Sequence, residues 1–175
     1  MKIREVIATL NRMCADGVTQ RYAIGGAVGA TFYVEPAATA DIDVFLTLTP
    51  EPGKRIATLE PIYQYLKAHG ATVQDEHLVI ADWPVQFLPV ETPLLAEALA
   101  QAQETDVEGE PTRIFTVEHL AAIALETGRA KDHLRLLQFI EAGVLDMKRF
   151  DALLVRHSLV EKWRRFERQY PQETP

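Results

Sequence analysis

The stretch from residue 22 to residue 48, YAIGGAVGATFYVEPAATADIDVFLTL, constrains the fold more than any other part of the chain. Tyr22-Ala23-Ile24 reads as a short strand running into Gly25-Gly26. Residues 27–34 suit a short helix, which Glu35-Pro36 ends because the residue before a proline is pushed out of the helical region. From Asp41 to Leu48 the pattern alternates as a strand does. Side chains two apart on a strand share a face. Asp41 and Asp43 therefore project from one face and Ile42 and Val44 from the other. The apolar face needs a packed cover, whereas the acidic face needs a counter-charge. That combination predicts an α/β (α+β) chain in which this strand packs its apolar face into a core and sets the two anionic groups side by side on the other.

Around this centre the hydrophobic periodicity predicts a helix over 2–16, with Ile3, Val6, Ile7, Leu10 and Met13 or Cys14 on one stripe, stopped by Asp16-Gly17. A turn is expected over 49–53, then a helix over 54–69 closed by Gly70. Short strands follow over 71–75, 77–81 and 84–90, then a helix over 94–103 starting after Pro93. Residues 105–115 read as a hairpin about Gly109-Glu110-Pro111. Three helices are expected over 117–127, 131–142 and 146–169, with Thr116 and Asp146 as caps. The predicted plan is a mixed sheet followed by a helical C-terminal third. Its weak boundary at Gly128 divides residues 1–128, an α/β domain, from residues 129–175, helices packed on it.

Bulk properties narrow the function. A net charge of −7 argues against non-specific duplex binding over the whole surface. Cys14 is the sole cysteine, so neither an internal disulfide nor a thiolate zinc cluster is available, and a half-buried helix thiol is expected. No apolar run approaches the ~20 residues that cross a bilayer. The opening MKIREVIATLNRM lacks a signal peptide's apolar core. A cytoplasmic protein with no membrane partner is the expectation. The five histidines show no ligand spacing. His69 suits a helix C-terminus, and His133 is the one near other candidate residues.

Two carboxylates side by side repel unless something neutralises them. A hard divalent cation does so, and Mg²⁺ suits oxygen ligands. Such a site can hold and polarise a nucleotide's phosphates. Gly25-Gly26 lies just upstream at a strand end, where missing side chains let phosphates approach the backbone. Together these features point to phosphoryl or nucleotidyl transfer.

The ordered set of strand, Gly25-Gly26, short helix and Asp41-x-Asp43 strand resembles the minimal nucleotidyltransferase superfamily. It is most like the bacterial AbiEii-like nucleotidyltransferases, many of them toxin–antitoxin components. The segment GRAKDHLRLL, with Arg129, Lys131 and Asp132, is similar to the Arg-x-Lys-Asp segment of these proteins. The resemblance spans roughly residues 20–140. It implies a polymerase-β-type palm and Mg²⁺ held by Asp41 and Asp43. It implies an NTP bound by Gly25, Gly26 and Lys131, and transfer of an NMP to an RNA, protein or small-molecule hydroxyl. A cognate antitoxin is the partner it suggests.

Active members of that superfamily carry a third carboxylate on a later strand. The matching segment here is Trp83-Pro84-Val85-Gln86-Phe87-Leu88-Pro89, so Gln86 takes the acid's place, with Asp82 and Glu91 at the ends of the strand. An amide offers a carbonyl oxygen but neither charge nor basicity. The alternative implied is a catalytically weakened nucleotide-binding domain acting through a partner. The basic residues Lys162, Arg164, Arg165 and Arg168 of the last helix offer a phosphate-contacting face for RNA or, more simply, a solvated one.

Overall fold

The computed structural model describes residues 2–36, 39, 41–50, 53, 56–74 and 77–171. Seven strands form one mixed sheet in the order β3-β4-β5-β2-β1-β7-β6. The strands are β1 (Tyr22–Ile24), β2 (Ile42–Leu46), β3 (Thr72–Gln74), β4 (His77–Ile80), β5 (Trp83–Pro89), β6 (Gln103–Val107) and β7 (Glu110–Ile114). The β1–β7 and β2–β5 pairs are parallel and the other ladders antiparallel.

The alternation along β2 decides the layering. Ile42, Val44 and Leu46 are fully buried on one face. There they join Val6, Ile7, Leu10 and Met13 of α1 (Lys2–Ala15) and Ile62 and Leu66 of α3 (Glu60–Ala68). The other face carries Ala23 and Phe45 into a second core. That core is built from α4 (Pro93–Ala100), α5 (Val117–Thr127), α6 (Ala130–Glu141), α7 (Met147–Arg156) and α8 (Val160–Gln169). Burying side chains the size of Phe115, Phe139 and Phe150 contributes about 1.5–3 kcal/mol each, so α5 to α8 are fixed by packing.

Helix starts follow the capping residues. Thr116 Oγ1 accepts from the His119 N–H, Asp146 Oδ1 from the Arg149 N–H, and Thr92 Oγ1 from the Leu95 N–H. Gly128, at φ +69°, closes α5 in the left-handed conformation that only glycine adopts cheaply. Cys14 is half-buried, and burial pushes its thiol pKa above the ordinary value.

Three expectations change. The long helix over 146–169 is two helices: Ser158 takes φ +58°, and the Leu159 N–H bonds back to Leu154 O at 2.8 Å, turning α8 onto α5. The sequence there holds neither Gly nor Pro; burial of Leu159 and Phe166 drives the turn. The helix over 94–103 ends at Ala100, because Gln103 pairs with Ile114 at the start of β6. The helix over 54–69 is observed as Glu60–Ala68. Residues 54 and 55 of that helix, residues 51 and 52 of the expected turn, and residue 75 of the expected third strand lie outside the described residues. No described helix is long and apolar enough to cross a membrane.

Candidate active site

Asp43 sits mid-strand on β2 and Asp41 immediately before it. Both line one cleft of about 270 Å³ between the sheet and α5–α6. The parallel β2–β5 register sets Gln86 beside Asp43 and Leu88 beside Phe45. Gln86 therefore holds the in-strand place next to the acid pair. Neither Asp82 nor Glu91 is among the described residues lining the cleft, so neither replaces the missing acid there.

Gly25 and Gly26 divide their work. Gly25 is buried; a Cβ on it would stand 2.6 Å from the Phe45 ring and 3.0 Å from the Phe115 ring. Its N–H donates to Asp43 O at 3.0 Å, which joins the glycine turn to β2. The Gly25 amide is thus engaged with the protein itself. Gly26 opens α2 (Gly26–Ala30) at φ +57° and lines the cleft with Ala27. A Cβ on Gly26 would fall inside the Asp43 carboxylate. The glycine is demanded by that carboxylate as much as by the turn.

The opposite wall is cationic. Arg129, Lys131 and Arg135 line the cleft from the first turns of α6. Asp132, 1 % exposed, organises them. Its Oδ2 accepts from Arg129 Nε at 2.6 Å and from the Arg129 N–H at 3.3 Å, and its Oδ1 lies 3.6 Å from Arg135. Arg135 was not singled out from the sequence. Its signal is the i, i+4 spacing from Lys131, which puts both cations on one helix face.

Electrostatics tie the walls together. Burial pushes the Asp43 carboxyl above its ordinary range, and the Asp41 charge pushes it further; Arg135, Lys131 and Arg129 pull the other way. Among the described residues no group of three His, Cys, Asp or Glu side chains is placed to hold a metal ion. Two carboxylates and an amide oxygen do not make a closed structural site. They do fit Mg²⁺, which keeps several waters and is commonly held by one or two carboxylates plus substrate phosphates.

Other singled-out residues have structural roles. His133 packs edge-on to Phe166 and Tyr170. His69 ends α3, stacks on Tyr65 and meets Tyr65 O through Nδ1 at 2.8 Å. On α8, Lys162 donates to the Glu126 carbonyl and Arg164 pairs with Glu161 at 2.6 Å, so part of the basic face is engaged. A shallower hollow of about 400 Å³, lined by Asn11, Cys14, Arg21, Glu104 and Arg113, carries no acid pair.

This mixed sheet, with its glycine-first helix, acid-bearing central strand β2 and helical cover, is a nucleotidyltransferase fold of the polymerase-β type. Two solved structures share it over almost the whole chain. One is the crystal structure of ANT(2")-Ia with adenylyl-2"-tobramycin, at 13% identity and TM-score 0.56, covering 93% of this chain and 99% of that one. The other is the solution structure of the antibiotic-resistance factor ANT(2'')-Ia, at 14% identity and TM-score 0.55, covering 95% and 96%. No family model and no curated protein sequence matches the chain. At these identities the likeness establishes the fold.

Proposed function

We propose that the chain is a nucleotidyltransferase that moves a nucleoside monophosphate from an NTP to a hydroxyl acceptor. The observation carrying this reading is one cleft in which Asp41 and Asp43, backed by Gly26, face Arg129, Lys131 and Arg135. Asp41 and Asp43 would hold Mg²⁺, with Gln86 Oε1 as a neutral neighbour. The ion, when bound, supplies charge neutralisation at the reacting phosphate. Lys131 and Arg135 neutralise the β and γ phosphates as pyrophosphate departs. Asp132 holds the Arg129 and Arg135 guanidiniums in place. The acceptor oxygen bonds to the α-phosphorus, the bond from that phosphorus to the bridging oxygen breaks, and the hydroxyl proton passes to solvent. Gln86 accepts a hydrogen bond from that hydroxyl and orients it, but takes no proton. The division at Gly128 then separates the unit carrying the acid pair from the helices that deliver the cations.

The ANT(2")-Ia structure holds a nucleotidyl group on a small molecule, which supports a small-molecule acceptor here over RNA or protein. Gln86 favours a second reading: a weakened nucleotide-binding domain acting through a partner, as an AbiEii-like member of a toxin–antitoxin pair would. Calorimetric titration with a non-hydrolysable NTP analogue, followed by transfer assays with labelled NTPs, separates the two. Transferase activity requires Mg²⁺-dependent binding and label transfer, both lost in Asp41→Asn and Asp43→Asn. Binding without transfer to any acceptor selects the second reading. Binding indifferent to Mg²⁺ and to both substitutions refutes both.

A further inference from the structure

The cleft lining is of two chemical kinds, and the difference constrains the acceptor. The cations of α6 and the Gly26 turn mark the residues for the triphosphate. Beside Gln86 the lining also has an apolar part. Leu88 follows Gln86 on the same strand face and pairs with Phe45, while Leu95 of α4 and Ile123 of α5 complete the wall. Leu88, Leu95 and Ile123 pack against the second core but are each only partly buried, so each leaves apolar surface open to the cleft.

The charge balance agrees. Among the described residues lining the cleft, the acids are Asp41, Asp43, Asp132 and Glu126. The first two form the proposed metal pair and Asp132 is held by Arg129 and Arg135. Glu126, partly buried, remains. Thr39, which also lines the cleft, carries no charge. A polycation needs several free carboxylates within a few ångströms to repay its desolvation. A polyanion needs cations beyond those assigned to the triphosphate, and the described lining residues include no Lys or Arg besides Arg129, Lys131 and Arg135.

Resting on the transferase reading above, we infer that the acceptor is an uncharged, apolar-faced alcohol whose body lies on Leu88, Leu95 and Ile123 with its hydroxyl at Gln86. Its oxygen replaces pyrophosphate on the α-phosphorus, giving a nucleotidyl ester, pyrophosphate and a proton released to water.

The test presents the purified protein, Mg²⁺ and labelled NTPs with three probes: uncharged alcohols with apolar bodies (octyl β-glucoside and hydroxysteroids), tobramycin, and an RNA oligonucleotide with a free 3′-hydroxyl. Label on an uncharged alcohol and on neither other probe is the expected result. Leu95→Asp then raises the alcohol's KM by at least about tenfold, the scale of a lost apolar pocket contact, while NTP affinity stays within about twofold. Leu95→Ala, which keeps the surface neutral, gives a smaller rise in the same direction and covers a folding failure of the acidic variant. Label on tobramycin or RNA overturns the inference. So does Mg²⁺-dependent NTP binding with no label on any probe, or a Leu95 effect on NTP affinity instead of acceptor KM. Absence of NTP binding altogether sinks the underlying transferase reading instead.

Discussion

Replacing Gly26 by alanine tests the geometry of the site most directly. Gly26 sits at φ +57°, where an L-residue costs roughly 1–2 kcal/mol. The added Cβ would also fall inside the Asp43 carboxylate, 2.7 Å from its Cγ and 3.0 Å from its Cβ. Rotating the Asp43 side chain relieves the oxygen and Cγ, but no rotation moves Cβ. Carbon–carbon contacts are optimal at about 3.5–4.0 Å, so the backbone of α2 or β2 must also give by several tenths of an ångström. The hydrogen bond from the Gly25 N–H to Asp43 O resists that shift. The expected loss is about 2–3 kcal/mol in total, and a carboxylate displaced by about 1 Å costs on the order of 10²-fold in transfer. Gly17→Ala supplies the control: its φ is +76°, but a Cβ there meets nothing within 4 Å. Urea midpoints for both variants, with Mg²⁺-dependent NTP binding and transfer rates, separate backbone strain from the clash. If Gly26→Ala matches Gly17→Ala in stability and keeps full binding and transfer, the close approach of glycine and aspartate has no consequence and the reasoning fails.

Gln86→Asp places a carboxylate beside Asp43 across the β2–β5 ladder. A general base there raises kcat by about 10²–10⁴-fold without changing which acceptor is used; an unchanged or lower rate in transfer assays argues against a missing base. Asp132→Asn removes the buried charge that holds Arg129 and Arg135, and is expected to weaken NTP binding and lower the thermal midpoint together. Unchanged affinity in calorimetry would show that Asp132 serves the helix alone. Glu97 joins α4 to the end of α7 through His157 Nε2 at 2.7 Å and through Arg156. Burial pushes its carboxyl up, but the His157 hydrogen bond and the Arg156, His157 and His119 charges outweigh that and hold it below 4.5. A carboxyl lowered on folding stabilises above its ordinary value and loses that contribution as pH falls through the lowered one. Glu97→Gln should therefore cost about 1–3 kcal/mol by urea denaturation at neutral pH and progressively less below pH 4.5. A pH-independent difference would refute the ionic role.

Period-two alternation from Ile42 to Leu46 put Asp43 on the face opposite Val44, and Thr116 and Asp146 announced their helices. These features are legible in sequence because each depends on a few neighbouring residues. The hairpin about Gly109 was legible for the same reason. The place of Gln86 on a later strand came from a resemblance; that it stands beside Asp43 comes from the β2–β5 register. Neither the break at Ser158 nor the membership of Arg135 in the cleft was read. The first is forced by burial of Leu159 and Phe166 against distant helices. The second needs α6 to fold back over a strand some ninety residues earlier.

The sequence alone determined which side chains carry charge, which strand face Asp41 and Asp43 share, and where α5 and α7 begin, since side-chain alternation and capping are local properties. Tertiary structure alone decided that Gly26 must lack a Cβ, that Gln86 flanks Asp43, and that the cations of α6 and the apolar side chains Leu88, Leu95 and Ile123 line one cleft. Strand register and helix docking are set by contacts between residues far apart in the chain, and no local pattern encodes the distance across a cleft.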